Sequence, residues 1–485
     1  MKFRMKGLLV LAILLLAAAG AMAAPAVTLT WYYPGTYPQK DQDMVFAAFN
    51  KLLAQKMNTT IDFKPTPWGD YDQKMSAVIA SGEKFDLCYT ANWTNNYLQN
   101  VAKGAFIPLD DLLTKYAPKL KASVPDKIWA ATKVNGKIYG IINYQISAYT
   151  SGVGFPTTLL KKYNFDPNKV KTLEDLEPFL KAVQKGEPDL EAPLGVANTA
   201  GTTVGFVNAY LGVEEVGGRT IPGAILNNDP ALKVVNQFKS TQYKSWLRLE
   251  RDWYNKGYIM KDALAVKDVN PNLAGGKVGV WFLGTYKPGG DAEDAARLKY
   301  PCTEVPISKS YLQTGAIIAT MHAISITSPN PERAMQFMEL MNTDVPQYNL
   351  LTYGIEGTHY KKTGPNRIEP MANSGYYPST AWMHASTFNA YLLPGQPDDV
   401  WAKTKQLNQS AIQSVIIGFS FNPDPVQSEL AQCASVVQEY WPALELGTVD
   451  PDTVLPEFLD KLDKAGAQKI IDEMQKQIDA WKVKK

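Results

Sequence analysis

Residues 26–89 change hydrophobic period again and again, and that alternation restricts the fold more than any other stretch. AVTLTWYY (26–33) alternates and is β-branched, as a strand requires, and PGTYP breaks it. DQDMVFAAFNKLLAQKM places Phe46, Phe49, Leu52 and Leu53 on one helical face, and TTIDFKPTPW returns to strand. YDQKMSAVIASGE reads as a helix stopped by Gly82, and 85–89 as a short third strand. Strand, helix and strand in succession open a doubly wound α/β sheet, because parallel neighbours need crossover connections. Ligands of such sheets sit beyond the carboxyl ends of the strands. Tyr33 and Gly35 stand at the first of these ends, Trp68 at the second, and Asn92 and Trp93 at the third. An indole face beside an amide suits a sugar ring, with its apolar CH face and rim of hydroxyls. Trp68 has two readings, capping such a cleft or packing on the helix after it.

At 485 residues the chain exceeds one ordinary core, so two lobes are expected. The chain has 25 Tyr and 11 Trp against 3 His, which suits stacking better than imidazole chemistry. Lys2, Arg4 and Lys6, the apolar run 7–19 and Ala21-Met22-Ala23 have the form of a cleaved export signal over residues 1–23. The run is too short for a membrane span. Its removal takes the formal net charge from +2 to −1, since residues 1–23 carry no acid. A near-neutral mature chain argues against nucleic acid or an anionic membrane as partner. Cys88, Cys302 and Cys433 allow at most one internal disulfide, and Cys88 lies in an apolar strand where a buried thiol is expected.

Further along, Asn135-Gly136 signals a hairpin within 133–146. Trp246 and Trp253 lie seven apart on a helical stripe and read as core. Asp166, Asn168, Glu174 and Asp175 space oxygen donors as a calcium loop does. Lys171, however, stands where an EF-hand loop needs Gly, so the stretch is read first as a turn and a helix N-terminus, Thr172-x-x-Asp175. The segment 193–205 reads as a strand region and 316–328 as strand-like. Asn330 is expected to cap the helix that Pro331 opens, and isolated His359 to be a satisfied polar group rather than a catalyst.

Several ordered stretches resemble the family 1 extracellular solute-binding proteins of bacterial ABC importers. They are FDL before an aromatic loop, G…PLDDLL (104–113), NGKIYG (135–140), WYNKGYIMKDA (253–263), NPERAM…NTD (330–344), YGIEGTHY (353–360) and GFSFNPDPV (418–426). The resemblance implies an α/β, two-lobed periplasmic-binding-protein fold, with doubly wound sheets joined by a hinge. It implies a first lobe of residues 24–145 and 316–370 and a second of 146–315 and 371–485. The ligand cleft would add Tyr144 and Gln145 at the crossing, and Trp281 and Tyr286 after the GKVG strand. It would also take Trp382, where relatives carry W..GN and this chain has His384-Ala385 instead of Gly-Asn. The absent lipobox cysteine departs from the family's lipoproteins and implies a freely soluble periplasmic or extracellular protein.

The function expected is capture of an oligosaccharide and its delivery to ABC permease transmembrane subunits, by a monomer with no cofactor, metal or catalytic residue. The permease's ATPase must be another chain, because no GxxxxGK[ST] is present. A secreted carbohydrate-active enzyme and a sugar sensor are the rival readings. The enzyme would need two carboxylates facing across a cleft, and neither G-x-S-x-G nor H-E-x-x-H occurs.

Overall fold

The computed structural model describes residues 26–196, 211–266 and 269–483. The export signal read in residues 1–23, and the 197–205 part of the segment read as a strand region, lie outside the described residues. The opening alternation forms as its periods require. Val27–Gly35 runs parallel to Thr59–Pro67 in unbroken register from Val27↔Thr59 to Gly35↔Pro67, and parallel to Leu87–Thr90 on its other side. Met321–Ile324 joins antiparallel to Leu87–Thr90, and Ile141–Ile142 completes this first sheet antiparallel to Met321–Ile324. The crossover helices Gln42–Met57 and Tyr71–Ser81 end on left-handed Asn58 (φ 48°) and Gly82 (φ 68°), whose N–H groups close the last turns. Asn135 and Gly136 both have positive φ (51° and 80°), as a tight two-residue hairpin turn demands.

The second sheet has the order Cys302–Pro306, Gly152–Pro156, Val278–Phe282, Ala192–Gly195. Trp246 and Trp253 are buried in its core, as their helical stripe predicts. The closing helices Gln427–Glu445, Pro451–Lys464 and Ala467–Lys482 add Val437, Phe458 and Ile470 to the same core.

Between the two cores the chain crosses three times. Ala148–Tyr149, Tyr311–Leu312 and Ile412–Gln413 lie side by side as one small sheet, with Tyr311 opposite both Tyr149 and Ile412. Ala148, Leu312 and Ala411 belong to the first core, and Val153, Ile307 and Ile416 to the second. This corrects the expected assignment of 371–485 to the second lobe. Tyr376, Met383, Ala385, Tyr391 and Leu393 are buried in the first core. Tyr376 donates to Leu351 O at 2.6 Å and Tyr348 to Ala381 O at 2.5 Å. The aromatic stretch 375–395 has no period to announce its partner. Burial against the helices Pro331–Thr343 and Val345–Tyr353 decides where it goes.

Two local expectations also change. Only Met321–Ile324 of the strand-like 316–328 is a strand, and Thr314–Ile317 is a single helical turn. Asn330 makes no side-chain cap, and its N–H instead donates to Ser328 Oγ at 3.1 Å.

Candidate ligand-binding cleft

The loop after Leu87–Thr90 is built to hold an indole outward. Tyr71, on the preceding helix, donates its buried hydroxyl to Tyr89 O at 2.7 Å. Asp72 Oδ1 accepts the Asn95 N–H (2.5 Å) and the Thr94 hydroxyl (2.7 Å), while Asn95 Nδ2 donates to Tyr89 O at 2.8 Å. Asn95 tolerates the positive φ of 39° that this tight loop requires. With its base pinned, the loop presents Asn92 and Trp93 to solvent, Trp93 with 52% of its surface exposed. The Trp93 indole N–H donates to Ala319 O at 2.8 Å, and Asn92 Nδ2 to Gly315 O at 3.1 Å.

Trp93 is one of three indoles. Trp68, 39% exposed at the end of Thr59–Pro67, stacks on Trp382 with centroids 6.0 Å apart and planes 11° apart. It approaches Trp93 at 6.0 Å, and Trp93 lies 6.3 Å from Trp382. Trp382 and Trp93, expected in the cleft, are thus brought together with Trp68, whose role the sequence left open. Trp382 stands half-buried while His384, two residues on, points inward and is fully buried with Nε2 3.2 Å from Thr380 Oγ1. Burial pushes the His384 and His322 imidazoles down to about 3, so neither carries charge near neutral pH.

The other expected residues serve the scaffold or stand at the edge. Tyr33 is fully buried against Trp31 and Tyr37 (centroids 4.8 and 5.7 Å) and offers no face to a ligand. A strand covered on both faces buries both sets of side chains. Gly35 is needed because a Cβ there would come within 2.5 Å of the Tyr37 ring. Tyr144 is buried edge-on to Phe388 at 4.9 Å. Gln145 is half-buried, and its carbonyl accepts from Asn408 Nδ2 at 2.7 Å. Trp281, 3% exposed, packs over Gly154, donates to Asp294 Oδ2 at 3.1 Å and lines the second-lobe cavity with it. Tyr286 is half-buried, with its N–H on Thr150 O at 2.8 Å.

At the second sheet's carboxyl end lies a cavity of about 450 Å³, lined by Thr285, Lys287, Glu293, Asp294, Arg297 and Glu304 among others. Lys287 pairs with Glu293 at 2.6 Å and Arg297 with Asp294 at 2.9 Å. Burial, and then the neighbouring Asp294 carboxylate, raise Glu304 well above the usual carboxyl range, so it is protonated against Asp294. Both lobes' loops border the crossings. Trp93 and Asn92 bond to 315–319, directly after Tyr311–Leu312, and Thr285 and Tyr286 bond to 148–150. The indole group and the polar cavity therefore flank the hinge, one on each lobe.

In the Asp166 loop two of the carboxylates accept backbone N–H groups. Asp166 Oδ1 accepts the Asn168 N–H at 3.1 Å, and Asp175 Oδ2 accepts the Lys171 and Thr172 N–H groups at 2.9 Å each. Those backbone bonds lower the Asp175 pKa, as in a helix-start cap. Among the described residues no group of three or more His, Cys, Asp or Glu is placed to hold a metal ion. Nor is any described helix long and apolar enough to cross a membrane.

Residues 37–348 match the model of the bacterial extracellular solute-binding protein family. The chain belongs to that family. Residues 415–483 of this solute-binding protein, the closing helices of the second lobe, match a further model described as a domain of unknown function (DUF3502). A carbohydrate ABC transporter substrate-binding protein of Streptococcus pneumoniae is 29% identical over 90% of this chain and 88% of its own length. The crystal structure of the N-glycan transport solute-binding protein NgtS from Streptococcus pneumoniae superposes with a TM-score of 0.85 at 28% identity, covering 95% of this chain and 100% of that one. NgtS in complex with Man5GlcNAc gives 0.78 at 29% identity, over 95% and 100% of the two chains.

Proposed function

We propose that this family member captures an oligosaccharide between its lobes and delivers it to the transmembrane subunits of an ABC importer, acting as a monomer outside the cytoplasmic membrane after residues 1–23 are removed. The observation that carries the reading is the cluster of Trp68, Trp93 and Trp382, partly exposed beside the hinge at the carboxyl end of the first sheet. Three partly exposed indoles suit the apolar faces of neutral sugars. The polar cavity of the second lobe offers carboxyl, ammonium and guanidinium groups to the hydroxyl rim. NgtS, a relative of similar length and fold, has been crystallised with Man1GlcNAc and with Man5GlcNAc, and a mannose-rich N-glycan fragment is the class proposed here.

Binding without catalysis is favoured by the state of the cleft carboxyls. Burial and the Asp294 carboxylate beside it keep Glu304 protonated, whereas a glycosidase holds its pair about 5–9 Å apart with the glycosidic bond between them.

The test is thermal shift and calorimetry of residues 24–485 with Man5GlcNAc, kestose and a galacturonan oligomer, followed by chromatography of the recovered sugar. Man5GlcNAc at a hundred times its Kd should add about 2.7 kcal/mol and be recovered intact. No shift with any oligosaccharide would overturn the ligand class, and a shortened glycan would overturn the absence of catalysis.

A further inference from the structure

The second crossing strand, Tyr311–Leu312, runs straight into the single helical turn Thr314–Ile317. That turn is gripped from both lobes. On the first-lobe side its carbonyls and those just after it hold the Trp93 loop. The Asn92 side chain donates to Gly315 O, the Asn92 N–H to Ile318 O (3.1 Å) and the Trp93 indole to Ala319 O. On the other side stands the hairpin of Val213–Glu215 and Ala224–Leu226, which sends Ile225 into the second core. Its Asn227 Oδ1 accepts from Gln313 Nε2 at 3.1 Å. Its Glu214 carboxylate accepts the Ser414 hydroxyl of the third crossing and a hydrogen bond from the Thr314 backbone. Gln313, Ser414, Glu214 and Asn227 are all buried.

We propose that the Thr314–Ile317 turn links occupancy of the Trp93 loop to the angle between the lobes, with Glu214 and Asn227 as its anchors in the second lobe. The proposal rests on the Trp93 loop being the ligand platform. A ligand shifts a two-state hinge only through differential interaction with the two states. Contact with Trp93 alone would be equal in both, unless the position of Trp93 itself depends on the lobe angle. These bonds create that dependence. Rotation about the crossings carries the 213–227 hairpin with the second lobe, and the hairpin carries Gln313 and Thr314 through Asn227 and Glu214. Stripping a buried polar group of its partner leaves its desolvation uncompensated, so the turn moves with its anchors rather than detaching from them. The carbonyls that move are the ones that hold Asn92 and Trp93. Glu214 and Asn227 are thus positioning residues that act on the platform without touching the ligand.

Hydrogen exchange without ligand tests the linkage directly. In Glu214→Gln, and separately in Asn227→Ala, amides of 89–97 should exchange at least about threefold faster than in the parent, while 42–57 in the same lobe stays unchanged. Unchanged exchange at 89–97 in a folded variant overturns the linkage, and so does an equal rise in both segments, which marks general destabilisation. Glu214→Gln keeps the size and an acceptor for Ser414, so it remains informative should Asn227→Ala not fold. The second arm adds Man5GlcNAc and reads tryptophan fluorescence, Kd and the radius of gyration by X-ray scattering. The variants should keep the fluorescence response, contract less than the parent and bind about tenfold more weakly. Parent-like contraction and Kd overturn the proposal. A parent protein that ignores the glycan overturns the ligand reading instead, and the exchange arm still decides the linkage.

Discussion

Replacing Trp93 with Ala separates a ligand platform from a structural indole, and the structure sets the size of each effect. About half of the ring surface is already in solvent, so little burial is lost on truncation. The indole N–H bond to Ala319 O disappears, but that carbonyl keeps the Tyr89 hydroxyl at 3.1 Å and is not orphaned. One net hydrogen bond, about 1 kcal/mol, bounds the stability cost and corresponds to roughly 2–4 °C or less in Tm for a large domain. The cost to binding is larger. A lost stacked aromatic is worth about 1–3 kcal/mol, hence roughly a five- to 150-fold rise in Kd. Calorimetry with Man5GlcNAc, with circular dichroism and a thermal melt on the same sample, measures both terms. Trp93→Phe keeps a ring face and should recover part of the affinity. An unchanged Kd in a folded Trp93→Ala protein refutes the assignment of this loop as the platform.

Trp281→Ala should behave in the opposite way. The ring is enclosed against Gly154 and Asp294, so truncation costs about 3–5 kcal/mol in denaturant titration, and a change confined to Kd would show instead that Trp281 meets the ligand. The three thiols are free and buried, with Cys88 and Cys302 pushed up to about 12 and Cys433 to about 11 by burial. Ellman's reagent at pH 8 should therefore label none in the folded protein and all three after denaturation, and rapid labelling of a folded sample would contradict this placement. Burial lifts Glu445 from 4.5 to about 7, beside the equally buried Glu250 and the Tyr243 hydroxyl at 3.0 Å. Between those values the folded state holds a proton that the unfolded chain has lost, so this stabilisation is whole below about pH 4.5 and gone above about pH 7. Glu445→Gln cannot ionise, so its stability relative to the parent should rise between pH 5 and pH 8 by up to about 3 kcal/mol, and a difference that ignores pH would refute the buried titration.

Local patterns determined a good deal on their own. The alternation of periods over 26–89 specified the parallel opening of the first sheet, because a strand–helix–strand succession has few ways to bury both faces. Asn135-Gly136 specified its hairpin and Gly82 its helix end, since each needs a left-handed backbone that few residues adopt cheaply. The exposure of Trp93 was legible because it lies just past a strand's carboxyl end. The same reasoning pointed to Tyr33, which also stands at a strand end but is fully buried. Which side of a doubly covered sheet a ring turns to, and what waits there, is not written in the strand itself. Only packing decided that Trp281 closes over Gly154, that 376–411 returns to the first core, and that Trp68, Trp93 and Trp382 meet. Those three indoles come from segments far apart in the chain. No sequence period records such a meeting, because it is set by the burial of apolar surface across the whole lobe rather than by any local preference.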